Sequence, residues 1–355
     1  IFVMYASGNE SGWKTQKVSN GTAYSLIFDA NDNPHILYSY YAPVYPSPRG
    51  LMYASWTGSS WNSQTVDPSD TGFGMVALDS HGNPHVAYTD GTTIKYAVSN
   101  GEDWSIQTVA QYEKGALAFR LSFVLDKNDT PYIMYSPSSY VDYSQDVGIQ
   151  GVGIIGMNVT LATYQNSSWK FQPLSLPTPT GDYGNLVVDS KSSLHSIFTQ
   201  HYVSSENTIR STLLYASWNG TAWDTQPVVS NISLNSMSLA LDSRDYPHIF
   251  TSSGEYAVWT GSEWSFKTRT YANNQVYLAL DSNDNPHVSY LQGTTSQVIA
   301  NIVYATAIIT DVDIEPTQPP SPTFPDVPLL LVSTAVIIGV VVTVVYVWKK
   351  KTQKP

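Results

Sequence analysis

The chain has 355 residues, rich in Tyr (25), Trp (10), Gly (22) and Pro (21), poor in charge (13%) and without Cys. That mixture suits short half-buried strands separated by tight turns rather than long helices, and the missing Cys excludes a disulfide framework or a thiolate metal site. The net charge of −11 conceals a more acidic remainder, because residues 1–328 carry 13 basic against 28 acidic groups, a net of −15; such a surface repels phosphate backbones and excludes nucleic acid as the expected partner.

The chain opens at Ile1, with no Met and no basic segment of the kind that begins a secretory signal, so a fragment or a processed form is expected. The first recognisable element is MYASGNESGW. Related segments recur as MYASWTGSSW, KYAVSNGEDW, TLATYQNSSW, LYASWNGTAW and EYAVWTGSEW. In every copy the residue aligned with Ser7 lies six before a Trp, giving Trp13, Trp61, Trp104, Trp169, Trp223 and Trp264. Asn100-Gly101 and Asn219-Gly220, and more weakly Thr57-Gly58 and Thr260-Gly261, mark hairpin turns inside these segments.

A second motif alternates with the first: an apolar strand, an Asp, five residues, then His and another apolar strand. Its copies are LIFDANDNPHILY, VALDSHGNPHVAY, SFVLDKNDTPYIMY, LVVDSKSSLHSIF, LALDSRDYPHIF and LALDSNDNPHVSY. The Asp residues are Asp29, Asp79, Asp126, Asp189, Asp242 and Asp281; six positions on stand His35, His85, Tyr132, His195, His248 and His287. Each period reads as four short strands, and the Asp spacings of 50, 47, 63, 53 and 39 residues bracket the roughly 40 to 50 residues of propeller repeats. The expected fold is therefore all-β, a β-propeller of four-stranded blades over residues 1–310. Six blades are visible. A seventh Tyr-Ala strand at Tyr304-Ala305 has no Trp six later, so the complete ring holds six or seven.

Residues 311–328, DVDIEPTQPPSPTFPDVP, form an acidic Pro-rich stretch expected to be an extended stalk. Residues 329–348 follow without a charge, long enough as a helix to cross about 30 Å of hydrocarbon, with Tyr346 and Trp348 at one end. Residues 349–355 then carry Lys349, Lys350, Lys351 and Lys354, which the positive-inside rule places in the cytoplasm. The expected location is a cell membrane crossed once, with the repeats outside. Seven N-glycosylation sequons (Asn9, Asn20, Asn128, Asn158, Asn166, Asn219 and Asn231) fit a glycoprotein surface.

The repeated Asp/His pair reads as structural, since a side chain copied into every blade holds blades together; WD-repeat propellers, similar in architecture, use an Asp, a His and a Trp per blade in this way. Asp29, Asn31, Asn33 and Asp281, Asn283, Asn285 imitate the start of a calcium loop. Pro34 and Pro286 stand where that loop needs Gly, and Tyr40 and Gln292 where it needs Glu. The Ser-x-Asp-x-Gly-x-Thr-Trp box of sialidases does not occur, nor does any G-x-S-x-G, H-E-x-x-H or P-loop pattern. No catalytic residue, metal ligand or cofactor is assigned.

The repeats, Pro-rich stalk, hydrophobic helix and Lys-rich end together resemble archaeal cell-surface propeller proteins. The resemblance covers the whole chain and implies fold and location. It supplies no substrate and no functional residues. The chain departs from regularity in the loops between second and third strands, at residues 39–50, 136–158 and 199–210. Long loops on a rigid scaffold concentrate function, and these bring Tyr40, Tyr41, Tyr45, Tyr140, Tyr143, His201 and Tyr202 as candidate ligand-binding residues on the face away from the Asp/His turns. The expected role is recognition or adhesion through a glycan, peptide or protein partner. The alternatives are an extracellular glycoside hydrolase or lyase, and a passive envelope component.

Overall fold

The computed structural model describes residues 2–9, 12–41, 49–69, 72–112, 117–138, 159–174, 180–203, 209–218, 220–232, 236–268, 275–292 and 301–306. The stalk, the expected membrane span and the Lys-rich tail lie outside the described residues, as do Tyr45, Tyr140 and Tyr143. The described residues contain no helix long and apolar enough to cross a membrane.

The strands form sheets that follow one another along the chain. The first sheet holds β1 (Phe2–Asn9), β2 (Gly12–Phe28), β3 (Pro34–Tyr41), β4 (Arg49–Trp56) and β5 (Trp61–Asp67). The second holds β6 (Gly74–Leu78), β7 (Pro84–Thr89), β8 (Thr93–Ser99) and β9 (Trp104–Gln111). The third holds β10 (Leu117–Leu125), β11 (Pro131–Ser138), β12 (Thr160–Gln165) and β13 (Ser168–Pro173). In the fourth, β14 (Thr180–Tyr183) and β15 (Val187–Val188) together edge β16 (Leu194–Val203), followed by β17 (Ile209–Trp218) and β18 (Trp223–Ile232). The fifth holds β19 (Met237–Leu241), β20 (Pro247–Thr251), β21 (Glu255–Trp259) and β22 (Trp264–Thr268). The sixth holds β23 (Val276–Leu280), β24 (Pro286–Gln292) and β25 (Asn301–Thr306). Every pairing is antiparallel and, apart from β14 with β16, joins neighbours in sequence, so each sheet is an up-and-down meander.

Burial falls from the second strand of a sheet to the fourth. β20 is buried at every position and β7 at all but its first, whereas β9 and β13 are largely exposed. Second strands are apolar on both faces because each sheet is covered by a neighbour on either side. Each apolar core accordingly lies between consecutive sheets. Ala97 and Val86 pack with Leu37, Leu51 and Tyr53 of the sheet before, and Ala87 and Tyr96 pack with Phe123 and Ile133 of the sheet after. First strands of successive sheets also meet, β6 with β10, β15 with β19 and β19 with β23. The fold is a β-propeller.

β2 serves two partners. Residues from Gly12 to Asn20 pair with β1, and those from Gly21 onward pair with β3. The switch needs Gly21: its φ is +140°, and a Cβ there would lie 1.8 Å from the Ser39 carbonyl oxygen. The β1–β2 hairpin corresponds to the third and fourth strands of a blade. It stands where a blade preceding the first sheet would stand, because Tyr5 meets Trp61 edge-on at 5.4 Å, as Tyr53 meets Trp104 at 5.7 Å.

Two sets of polar side chains staple neighbouring blades. Near the first strands, the residue four before the repeated Asp reaches a backbone N–H of the next blade. Ser122 accepts from Leu186 N (2.8 Å), Asn185 from Leu239 N (2.8 Å) and Ser238 from Leu278 N (3.0 Å). In the Asp/His turns, Ser80 donates to Asp129, Ser190 to Asp245 and Ser243 to Asp284 through both N–H and hydroxyl, at 2.6 to 3.0 Å. Each accepting Asp sits at φ of 60° to 65°, a conformation its short side chain tolerates.

Candidate functional site

In the first, second, fourth and fifth sheets the repeated Asp, His and Tyr form one assembly each. Asp29 Oδ1 accepts the backbone N–H groups of Asn31 and Asn33, each at 2.8 Å, and so shapes the turn from within. His35, buried on the following strand, brings Nε2 to 3.6 Å from Asp29 and hydrogen-bonds the Tyr53 hydroxyl through Nδ1. His85 with Tyr96, His195 with Tyr215 and His248 with Tyr256 repeat the arrangement. Burial pushes His35, His85, His248 and His287 below the ordinary imidazole value, with the nearby carboxylate opposing it only in part. Burial also disfavours ionised Asp29, but hydrogen bonds from Asn33 and Asn31 outweigh it and hold the carboxyl at about 2. Burial, reinforced by the Asp29 charge, pushes the Tyr53 phenol up. A neutral buried imidazole between a fixed carboxylate and a protonated phenol is a brace for the blade. Among the described residues no group of three or more His, Asp or Glu converges in a way that could hold a metal ion.

The same Tyr carries the contact between blades. Tyr96 meets Trp169 of the next sheet at 5.2 Å, and Tyr215 meets Trp264 at 5.6 Å, both edge-on. The junction between the third and fourth sheets departs from this rule. There Tyr132 replaces His, and Leu161 in TLATY replaces the Tyr of MYAS or LYAS. Trp223 turns instead to Phe198 of its own sheet at 6.4 Å. The Ser–Asp staple is also lost, since Lys127 and Ser192 occupy its two positions. The junction remains fastened beside the first strands by Ser122 and Leu186.

A groove of about 490 Å³ opens at this junction, within the roughly 300 to 1,000 Å³ typical of small-ligand sites. Tyr132, Leu161 and Thr163 line it from inside the third sheet, and Lys170, Phe171 and Gln172 from its outer strand β13. Lys191 and Ser192 of the fourth sheet's turn, with Trp218 and Gly220, form the opposite wall. Phe171 is 48% exposed, an aromatic ring turned to solvent at the rim. Ser192, at φ +68°, buries a hydroxyl oxygen that has no hydrogen-bond partner among the described residues. Among the described residues no carboxylate lines the groove.

Of the residues named from the sequence, the four described ones do not line the groove. Tyr40 and Tyr41 end β3 and His201 and Tyr202 lie near the end of β16, so the two pairs belong to sheets separated by two others. All four are partly buried. Tyr40 packs on the core beneath the N-terminal hairpin, Tyr41 lies under the Arg49 guanidinium at 5.7 Å, and His201 Nδ1 is 2.9 Å from Ser211 Oγ. The groove was not read from the sequence although its signal was present: two of its three inner residues, Tyr132 and Leu161, are lapses in the repeat.

No family model matches the chain, and no curated protein matches its sequence. Among solved structures it is similar to an α-L-arabinanase of Penicillium chrysogenum complexed with arabinobiose, with a TM-score of 0.55 and 13% identity over 86% of this chain and 97% of that one. It is also similar to an ulvan lyase, a polysaccharide lyase, with a TM-score of 0.53 and 10% identity over 81% of this chain and 82% of that one. At these identities the likeness is one of fold.

Proposed function

We propose that this protein is a glycan-recognition propeller displayed outside the cell on a single C-terminal membrane anchor. The observation that carries the reading is the groove between the third and fourth sheets, where Tyr132, Phe171 and Trp218 surround amide and hydroxyl groups. Aromatic rings offer flat apolar surfaces for the C–H faces of a sugar, and a few convergent polar groups fix its hydroxyls. The uncharged segment 329–348 with its Lys-rich flank supports the anchor, and the sequons support the outer face. A glycan array probed with the full chain in detergent micelles tests the reading. Binding that disappears in Phe171→Ala supports it; binding unchanged in that variant would move the site elsewhere, first to Tyr41 and Tyr202 at the opposite rim.

A second reading, cleavage of the bound glycan, draws support from the arabinanase and the lyase among the fold neighbours. Incubation of each bound oligosaccharide with the protein, followed by product chromatography, separates binding from turnover.

A further inference from the structure

Resting on the glycan reading, we infer that the groove between the third and fourth sheets selects acidic saccharides, those bearing carboxylate or sulfate groups. Lys170 and Lys191 line the groove from opposite blades, and among the described residues no acid does. The two lysines stand out in a chain whose residues 1–328 carry a net charge of −15. Elsewhere the position after the repeated Trp carries Lys14, Asn62, Ser105, Asp224 or Ser265, so the ammonium of Lys170 is no requirement of the blade. The position of Lys191 holds Asn31, His81, Asn128, Arg244 and Asn283 in the other turns. In the fifth sheet the corresponding Arg244 is spent on its own Asp242 at 2.7 Å. Neither groove lysine has an ion pair of that kind among the described residues.

The remaining chemistry agrees. An ammonium is a compact charge with three donors, suited to a carboxylate or sulfate oxygen that can be met from several directions. The buried Ser192 hydroxyl can donate to the same anion, which relieves the cost of leaving it unpaired. Phe171 and Tyr132 supply the apolar surface for the ring that bears the charge. The surrounding negative field discourages indiscriminate binding of polyanions, so an anion enters only where the two lysines outweigh it.

The experiment measures binding of oligogalacturonate, dextran sulfate oligomers and a neutral arabino-oligosaccharide to the full chain in detergent micelles, at low and high salt. The expected result is preference for one or both acidic probes, weakened at high salt, with the carboxylate and sulfate arms showing which anion is taken. Lys170→Gln with Lys191→Gln should weaken acidic binding tenfold or more, whereas Lys127→Gln on the neighbouring turn should leave it unchanged. Equal affinity for neutral and acidic probes, or full acidic affinity in the double Gln variant, overturns the inference and leaves the glycan reading standing. Binding of no saccharide of either class overturns both.

Discussion

Ser243 in the turn of the fifth sheet donates its backbone N–H to Asp284 Oδ1 at 2.8 Å and its hydroxyl to Oδ2 at 2.6 Å, across the boundary to the sixth. Ser190 and Asp245 do the same one blade earlier. Ser243→Ala should cost about 1 kcal/mol, the usual net value of one hydrogen bond. Asp284→Asn combined with it should cost less than the sum of the two single changes, because both remove the same contact. Urea denaturation of the four proteins measures the coupling; strict additivity would show that the staple carries no energy.

Asp67, at the end of the first sheet, is buried and accepts from Tyr88 and Lys95 of the second at 3.0 Å each, and from Ser69 at 2.7 and 2.9 Å. Burial opposes its charge, yet these donors hold its carboxyl at about 2. Asp67→Asn removes the hydrogen-bonded counter-charge of the partly buried Lys95 ammonium, leaving it only the field of Asp90, and should destabilise the protein by about 3 kcal/mol. Thermal unfolding at neutral pH is the measurement, and a change under about 1 kcal/mol would show that Lys95 finds water instead.

Acid should destabilise the propeller in two stages. The buried imidazoles of His35, His85, His248 and His287 have folded pKa values below their unfolded ones, so the unfolded chain binds more protons and stability falls once the pH drops below about 6.5. Asp29 and Asp67, held at about 2, add a further loss as the pH falls below about 4 toward that value. Urea midpoints taken from pH 8 to pH 3 should decline with both inflections. A stability maximum near pH 5 would contradict the sign.

Restoring the repeat at the lapsed junction should close the groove. Tyr132→His with Leu161→Tyr rebuilds the brace on Asp126 and offers Trp223 the ring that its counterparts enjoy in other blades. Glycan binding should be lost while the unfolding temperature is maintained or raised, as judged by calorimetry alongside the array. Retained binding in a folded restored variant would place the ligand outside the groove.

The blades were legible because each repeats the same local chemistry. Asp29 announces its turn by the Asn and Pro that follow, and Trp61 announces its strand by its distance from Tyr53. The hairpin turns were legible in place but not in form. Asn100 uses its side-chain oxygen to accept from Glu102 N (3.1 Å) and Asp103 N (2.8 Å), closing a four-residue loop in which Gly101 takes the positive φ. The staples were not read, because Ser122 and Ser238 look like ordinary strand serines until the next blade is beside them. The groove was hidden for a related reason. Tyr132 and Leu161 count against the repeat in sequence, and only Lys191 and Trp218, which follow in the next sheet, turn that absence into a shape.

The boundary between the third and fourth sheets lacks both the turn staple and the aromatic contact, so among the described blades it is a seam, while the fourth, fifth and sixth sheets are riveted in succession. Solvent should reach amides on either side of that seam, in β13 and in the 191–193 turn, before it reaches those of β19 or β20. A molecule lodged there would bridge the two halves like a key in a split shaft. Its occupancy would then be readable at a distance, as slower amide exchange along the whole boundary and not merely at the residues it touches.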